Sequence, residues 1–124
     1  MPATNPVTLH GIRNCDTMKK ARVWLESAGI AHGFHDYRMQ GLPDGLLESW
    51  VARLGWEAML NRAGTSFRKL AESQREALDA PRAIALMRAQ PAMIRRPVLV
   101  AGPALLVGFR PAEYARLFGV TAPA

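Results

Sequence analysis

The most reactive side chain in this sequence is a lone thiol. Cys15 lies in the stretch Gly-Ile-Arg-Asn-Cys-Asp-Thr-Met-Lys-Lys-Ala, residues 11–21, and is the only cysteine of 124 residues. It follows a short apolar run and directly precedes a helical pattern. At such a junction the unpaired amides of the first helical turn carry about half a positive charge and favour an anion. Arg13, Lys19 and Lys20 add positive charge nearby in sequence, and Asp16 opposes them. Thiols in such settings ionise at about 3.5–7.5 rather than near about 8.5, so a thiolate exists at neutral pH. The residues alone leave a second reading open, because a free cysteine is also among the most buried residue types and packs as a small hydrophobe.

Other groups with chemical potential are less organised. His32 and His35 stand three apart on an expected strand and so face opposite sides, which suits chelation poorly. No metal site is expected. His10 lies at a strand end before Cys15, where a base would be useful, but a packed or exposed histidine is the ordinary reading. Thr65 and Ser66 lack the partners of a nucleophilic triad. Trp24, Trp50 and Trp56 sit at helical spacing and read as core or domain-junction packing.

The elements that must position the thiol follow from periodicity. Val7–Ile12 has β-branched residues at alternating positions and predicts a strand. Ala21, Trp24, Leu25 and Ala28 share one face of a helix beginning near Asp16, with Asp16 or Thr17 as cap and Gly29 as stop. The alternation of His32–Arg38 predicts a second strand, parallel to the first across the helical crossover. The middle of the chain reads as helices. One is capped by Asp44 and stopped by Gly55, a short one follows at Trp56–Asn61, another starts at Ser73, and one opened by Pro81 closes before Pro91; Arg62–Leu70 reads as a loop. Two apolar runs around Ala-Gly-Pro-Ala, residues 101–104, predict a hairpin, and Pro111 opens a last helix ending at Gly119. Residues 1–5 and 121–124 are expected to fray. The order βαβ, helices, ββα gives the fold class: α/β, the thioredoxin-like arrangement with an inserted helical subdomain. One domain over 1–124 is expected, with the core at about 7–40 and 92–119 and the insertion at about 43–91.

Composition narrows the function. A hydrophobic fraction of 49% with 21% charged residues is that of a soluble globular chain. One cysteine excludes an internal disulfide framework and fits a reducing compartment, hence the cytoplasm. No signal peptide pattern opens the chain, and no apolar run approaches the about 18 residues of a membrane span. The formal charge of +6 comes from 13 arginines and 3 lysines scattered among acidic residues, without the clustered basic surface or stacking platform of a nucleic-acid binder. Nucleic acid is not expected as a partner, and a monomer is.

The segments at residues 8–42, 54–70 and 94–100 together resemble the ArsC/Spx family of arsenate reductase-like proteins, most closely its YffB-like branch. The resemblance runs from about Val7 to Gly119. It implies a thioredoxin-like fold with a helical insertion and a nucleophilic cysteine, here Cys15. It also implies that Arg96-Pro97 is a cis-proline segment facing the thiol, where backbone groups can pair with a peptide-like thiol and Arg96 can hold an oxyanion or carboxylate. Either Arg95 or Arg96 could point inward; alternation and the family both favour Arg96.

The family's arsenate reductases set three arginines about the cysteine. Arg96 matches the second, and Arg62 stands at or beside the first. The third position falls near Val107, which has no charge, with Arg110 close but out of register. A charge-assisted hydrogen bond contributes about 1.5–3 kcal/mol, so the missing donor argues against arsenate as substrate. Met18 replaces the second cysteine of the Cys-x-x-Cys pattern found in Spx regulators, which argues against a polymerase-binding regulator and requires an outside thiol for resolution. The expectation is an oxidoreductase, a glutathione-dependent thiol reductase, with no bound cofactor, glutathione as co-substrate and glutaredoxin as a further partner. Cys15 is its nucleophile, and Arg13, Asn14, Lys19, Arg62, Arg96 and Pro97 are its candidate substrate- and glutathione-binding residues.

Overall fold

The structure, a computed structural model, describes residues 6–120. The termini expected to fray lie outside the described residues. The chain divides into two compact units: one joins the chain up to Asp36 with the chain from Arg96 onward, and the other is Tyr37–Arg95.

The first unit is a four-stranded mixed sheet in the order β2-β1-β3-β4. β1 (Val7–Gly11) runs parallel to β2 (Gly33–Asp36) and antiparallel to β3 (Val98–Ala101), and β3 pairs antiparallel with β4 (Ala104–Val107). The crossover between the parallel strands is α1 (Asp16–Ser27), and α8 (Pro111–Phe118) follows β4. This is the thioredoxin-like βαβ–ββα arrangement. Val7 and Leu9 from β1, with Leu99 and Ala101 from β3, supply one face of the sheet. Against it pack Met18, Ala21, Trp24 and Leu25 of α1 and Tyr114 and Ala115 of α8. The period of two in the strand meets the period of 3.6 in the helices, and each buried aliphatic side chain contributes about 1.5–3 kcal/mol. Aromatic edges lock the two helices: Trp24 meets Tyr114 edge-on at 5.5 Å, and Phe109 meets Tyr114 at 4.9 Å.

Four local expectations need correction. The second strand ends at Asp36 rather than Arg38, and Tyr37–Gln40 turns into a helical segment, α2. Tyr37 is wholly buried, and its hydroxyl donates to the carbonyl of Ile94 at 3.4 Å, so packing within the second unit overrides the alternation that suggested a longer strand. The first helix is capped by Cys15, not by Asp16 or Thr17. α3 (Leu46–Leu54) begins at Gly45, whose φ of 82° lies in the left-handed region, and not at an Asp44 cap. The stretch read as a loop contains a helical turn, α5 (Thr65–Arg68), pinned by buried Phe67.

The second unit is otherwise helical as read: α4 (Trp56–Met59), α6 (Glu72–Arg75) and α7 (Ala80–Ala89), then a 3-10 turn at Pro91–Met93. Its interior is built on Leu47, Trp50, Met59, Leu60, Met87 and Ile94, all buried. Leu60 and Ile94 form an isolated antiparallel bridge.

Candidate active site

β1 ends at Gly11, and the chain needs four residues to turn into α1. Gly11 lies over Met18: a Cβ built there would stand 2.3 Å from the Met18 sulfur. Glycine here lets the Met18 side chain pack close under the turn, and Met18, 2% exposed, is a core residue rather than part of a redox pair. Asn14 takes a φ of 67°, the left-handed conformation that asparagine tolerates better than most residues, and this reverses the chain. Cys15 follows in extended conformation, φ −101° and ψ 129°, at the N-cap of α1, with its carbonyl accepting the first helical bond from the Lys19 amide at 3.0 Å.

No short capping bond closes this helix end. Burial pushes the Cys15 thiol up, but the Met18 amide, the Arg96 side chain with its hydrogen bond and charge, and the Thr17 amide together pull it below the usual thiol range. Cys15 is half-buried, so these dipoles act with partial screening. Arg96 is half-buried beside it, at the entry to β3, and the Arg96-Pro97 peptide bond is cis. The Pro97 carbonyl accepts from the Gly108 amide at 2.9 Å, which ties this entry to the end of β4. Arg95 is exposed, and its amide belongs to the second unit, donating to the carbonyl of Met59 at 2.7 Å.

The candidate residues thus fall into groups. Cys15 and Arg96 meet in the first unit, where Arg96 reaches the sulfur, and Pro97 follows Arg96 across the cis bond. Arg13 and Asn14 are exposed and shape the turn, and Lys19 is exposed and linked to Cys15 through its backbone. Arg62 lies in the second unit, exposed, with its guanidinium 5.6 Å over the Trp56 ring. Val107 is in β4, and Arg110 is exposed at the start of α8, 3.6 Å from Glu113. His10 packs at 5.2 Å from His35, its partner across the parallel pair. Burial, aided by the neighbouring His35, lowers its pKa to about 4, so His10 is neutral at pH 7. His32 lies before β2, with its Nδ1 3.0 Å from the carbonyl of Ile30. Among the described residues no group of three or more His, Cys, Asp or Glu is placed to hold a metal ion, and no helix is long and apolar enough to cross a membrane.

The first-turn amides expected at the sulfur are those of Met18 and Thr17. One contributor escaped the sequence reading. Asp36, 6% exposed, accepts the Arg13 amide at 3.0 Å. A carboxylate closing an aromatic strand was its one signal.

A fold of this topology with a cysteine at the first strand-to-helix turn and an arginine-cis-proline segment beside it defines a class of thioredoxin-like protein. The ArsC family model matches residues 10–117, and the chain belongs to the ArsC family. An uncharacterized protein of Haemophilus influenzae is 37% identical over 112 residues, covering 90% of this chain and 98% of that one. The structure of a protein named YFFB superposes with a TM-score of 0.85 at 54% identity, covering 89% of this chain and 96% of that one. An arsenate reductase (ArsC) related protein from Brucella melitensis superposes with a TM-score of 0.77 at 51% identity, covering 97% of this chain and all of that one, 100%.

Proposed function

We propose that this protein is a thiol-dependent reductase that uses Cys15 as its nucleophile and glutathione as its reductant. The observation that carries this reading is the sulfur's setting: Arg96 and the α1 amides outweigh burial and hold the thiol below its usual range. The Cys15 thiolate attacks one sulfur of a substrate disulfide, forming a mixed disulfide and expelling the other sulfur as a thiolate that solvent protonates. One glutathione thiolate attacks the Cys15 sulfur and releases the second substrate thiol. A second glutathione thiolate then frees Cys15 and leaves as oxidised glutathione. Two glutathione thiols thus supply the two electrons that reduce one disulfide. With one cysteine in the sequence and Met18 in the core, resolution falls to an external thiol, and glutaredoxin is a second candidate for that step.

Arg96 fits the charge requirements of this cycle, since it stabilises the leaving thiolate of Cys15 and can receive a glutathione carboxylate. The apolar Val107 and the Arg110–Glu113 pair support a sulfur substrate over arsenate, because the third cationic position is not filled. A reducing cytoplasm suits a protein with one reactive thiol. Exposure of the pure protein to oxidised glutathione, read by intact mass, tests the scheme. A single glutathione adduct that vanishes in Cys15→Ser is expected, and an adduct that persists in that variant refutes it.

A further inference from the structure

Asp36 is the one charged residue among the buried groups of the first unit's described residues, and the reaction itself gives it no task. It closes β2, directly opposite Gly11, the last residue of β1. Its carboxylate oxygen accepts the backbone N–H of Arg13 at 3.0 Å, two residues before the thiol. Between them stands Asn14 with its left-handed φ of 67°. The turn that delivers Cys15 to the N-cap is therefore held at one end by the Asp36 bond and redirected at the other by Asn14. The bond lies in a partly buried setting, where a charge-assisted hydrogen bond to an amide is stronger than a neutral one.

We propose that Asp36 is the positioning residue of the reactive thiol: by accepting the Arg13 amide it fixes the turn that aims the Cys15 sulfur at the Thr17 and Met18 amides and the Arg96 guanidinium. This rests on the reading of Cys15 as the reacting group. Asp36 touches neither the sulfur nor a reacting atom, and acts through the backbone of residues 13–15. Its negative charge alone would oppose a thiolate, so the position of its acceptor oxygen is what matters. Releasing the Arg13 amide lets Cys15 drift from the helix axis. The dipoles at a helix end act within the first turn, so the thiol then returns toward its ordinary ionisation.

Three substitutions separate acceptor position from charge. Asp36→Asn keeps an acceptor oxygen at the same reach and removes the charge; Asp36→Ala removes both; Asp36→Glu keeps the charge and displaces the oxygen by a methylene. The rate of iodoacetamide alkylation of Cys15 is followed against pH, together with hydrogen exchange of the Arg13 amide. Asp36→Asn should keep a protected Arg13 amide and a midpoint no higher than that of the wild type, since the removed charge opposes the thiolate. Asp36→Ala and Asp36→Glu should raise the midpoint by about one pH unit, slowing alkylation about tenfold on the rising limb, with loss of Arg13 protection. An unchanged midpoint in Asp36→Ala, or in Asp36→Glu where the alanine variant does not fold, overturns the proposal. So does a midpoint in Asp36→Asn that rises as far as in the alanine variant while the Arg13 amide stays protected, because the hold would then be intact without its effect. A wild-type midpoint at the ordinary thiol value would instead sink the reading of Cys15, while Arg13 exchange would still judge the hold by Asp36.

Discussion

The N-termini of α1 and α7 meet the same electrostatic problem with different side chains. At α7 the cap is Asp79, whose carboxylate accepts the Arg82 amide at 2.9 Å, and Pro81 fills a first-turn position where no donor is needed. That end is closed, and its partial positive charge is spent on stability. At α1 the cap is Cys15, with no short side-chain bond, and the amides of Thr17 and Met18 bear on the sulfur. A cysteine caps poorly but ionises, so this helix end forgoes a capping bond and is equipped for chemistry. One region gives up a stabilising oxygen to keep a reactive atom in the field.

The comparison breaks most sharply at Cys15 itself. Cys15→Ser is expected to abolish disulfide exchange and alkylation outright, while stability holds or rises by a few tenths of a kcal/mol, because serine is a preferred N-cap. A chemical melt and a turnover assay on the same sample check both halves. Next comes Arg96→Met, which keeps the aliphatic stem and removes the charge beside the sulfur. Alkylation on the rising limb of the pH profile should slow about tenfold, for a rise of about one unit in the thiol's ionisation.

Gly11→Ala tests the packing under the turn. The added Cβ meets the Met18 sulfur at 2.3 Å, and overpacking costs about 1–3 kcal/mol, here toward the lower end because the thioether is flexible. Denaturant midpoints measure it. Asp79→Ala is the control at the other helix: a loss of about 1 kcal/mol in stability with Cys15 alkylation unchanged. Coupling between that cap and the thiol would count against treating the two helix ends as separate devices.

A separate effect lies in the acid limb of stability. His10 has a folded pKa of about 4 against 6.5 for the ordinary imidazole. The unfolded chain therefore binds more protons between those values. The stabilising contribution of neutral His10 is complete above pH about 6.5 and is lost as pH falls toward about 4. Thermal melts across that window should show the decline, and His10→Gln should flatten it. The thiol works in the same direction at higher pH. Its folded pKa is depressed, so it adds stability as pH rises from the folded value toward the unfolded one, and that gain is absent in Cys15→Ser.

How much of this was readable beforehand depends on distance along the chain. α1, α7, the hairpin at Gly102-Pro103 and α8 follow from local period and from proline and glycine punctuation, and their bounds match within a residue or two. Tyr37 defeated the alternation rule because its burial and its bond to the Ile94 carbonyl join residues 57 apart. Phe67 made a helical turn where composition suggested a loop, again through burial. In the site, Cys15 and Arg96 were legible, the first from its junction and the second with the help of the family resemblance. Asp36 was not, because its contact with Arg13 spans 23 residues and nothing in a strand's alternation marks a carboxylate as a backbone acceptor. Arg62, chosen by likeness of position, rests on Trp56 in its own unit.

The most direct test is the pH dependence of Cys15 alkylation in the unmodified protein at low salt. A midpoint well below that of a free thiol, rising when Arg96 is replaced by methionine, is the result predicted here. A midpoint at or above the free-thiol value, indifferent to Arg96, would mean that burial wins over the amides and the guanidinium, and that the sulfur is structural.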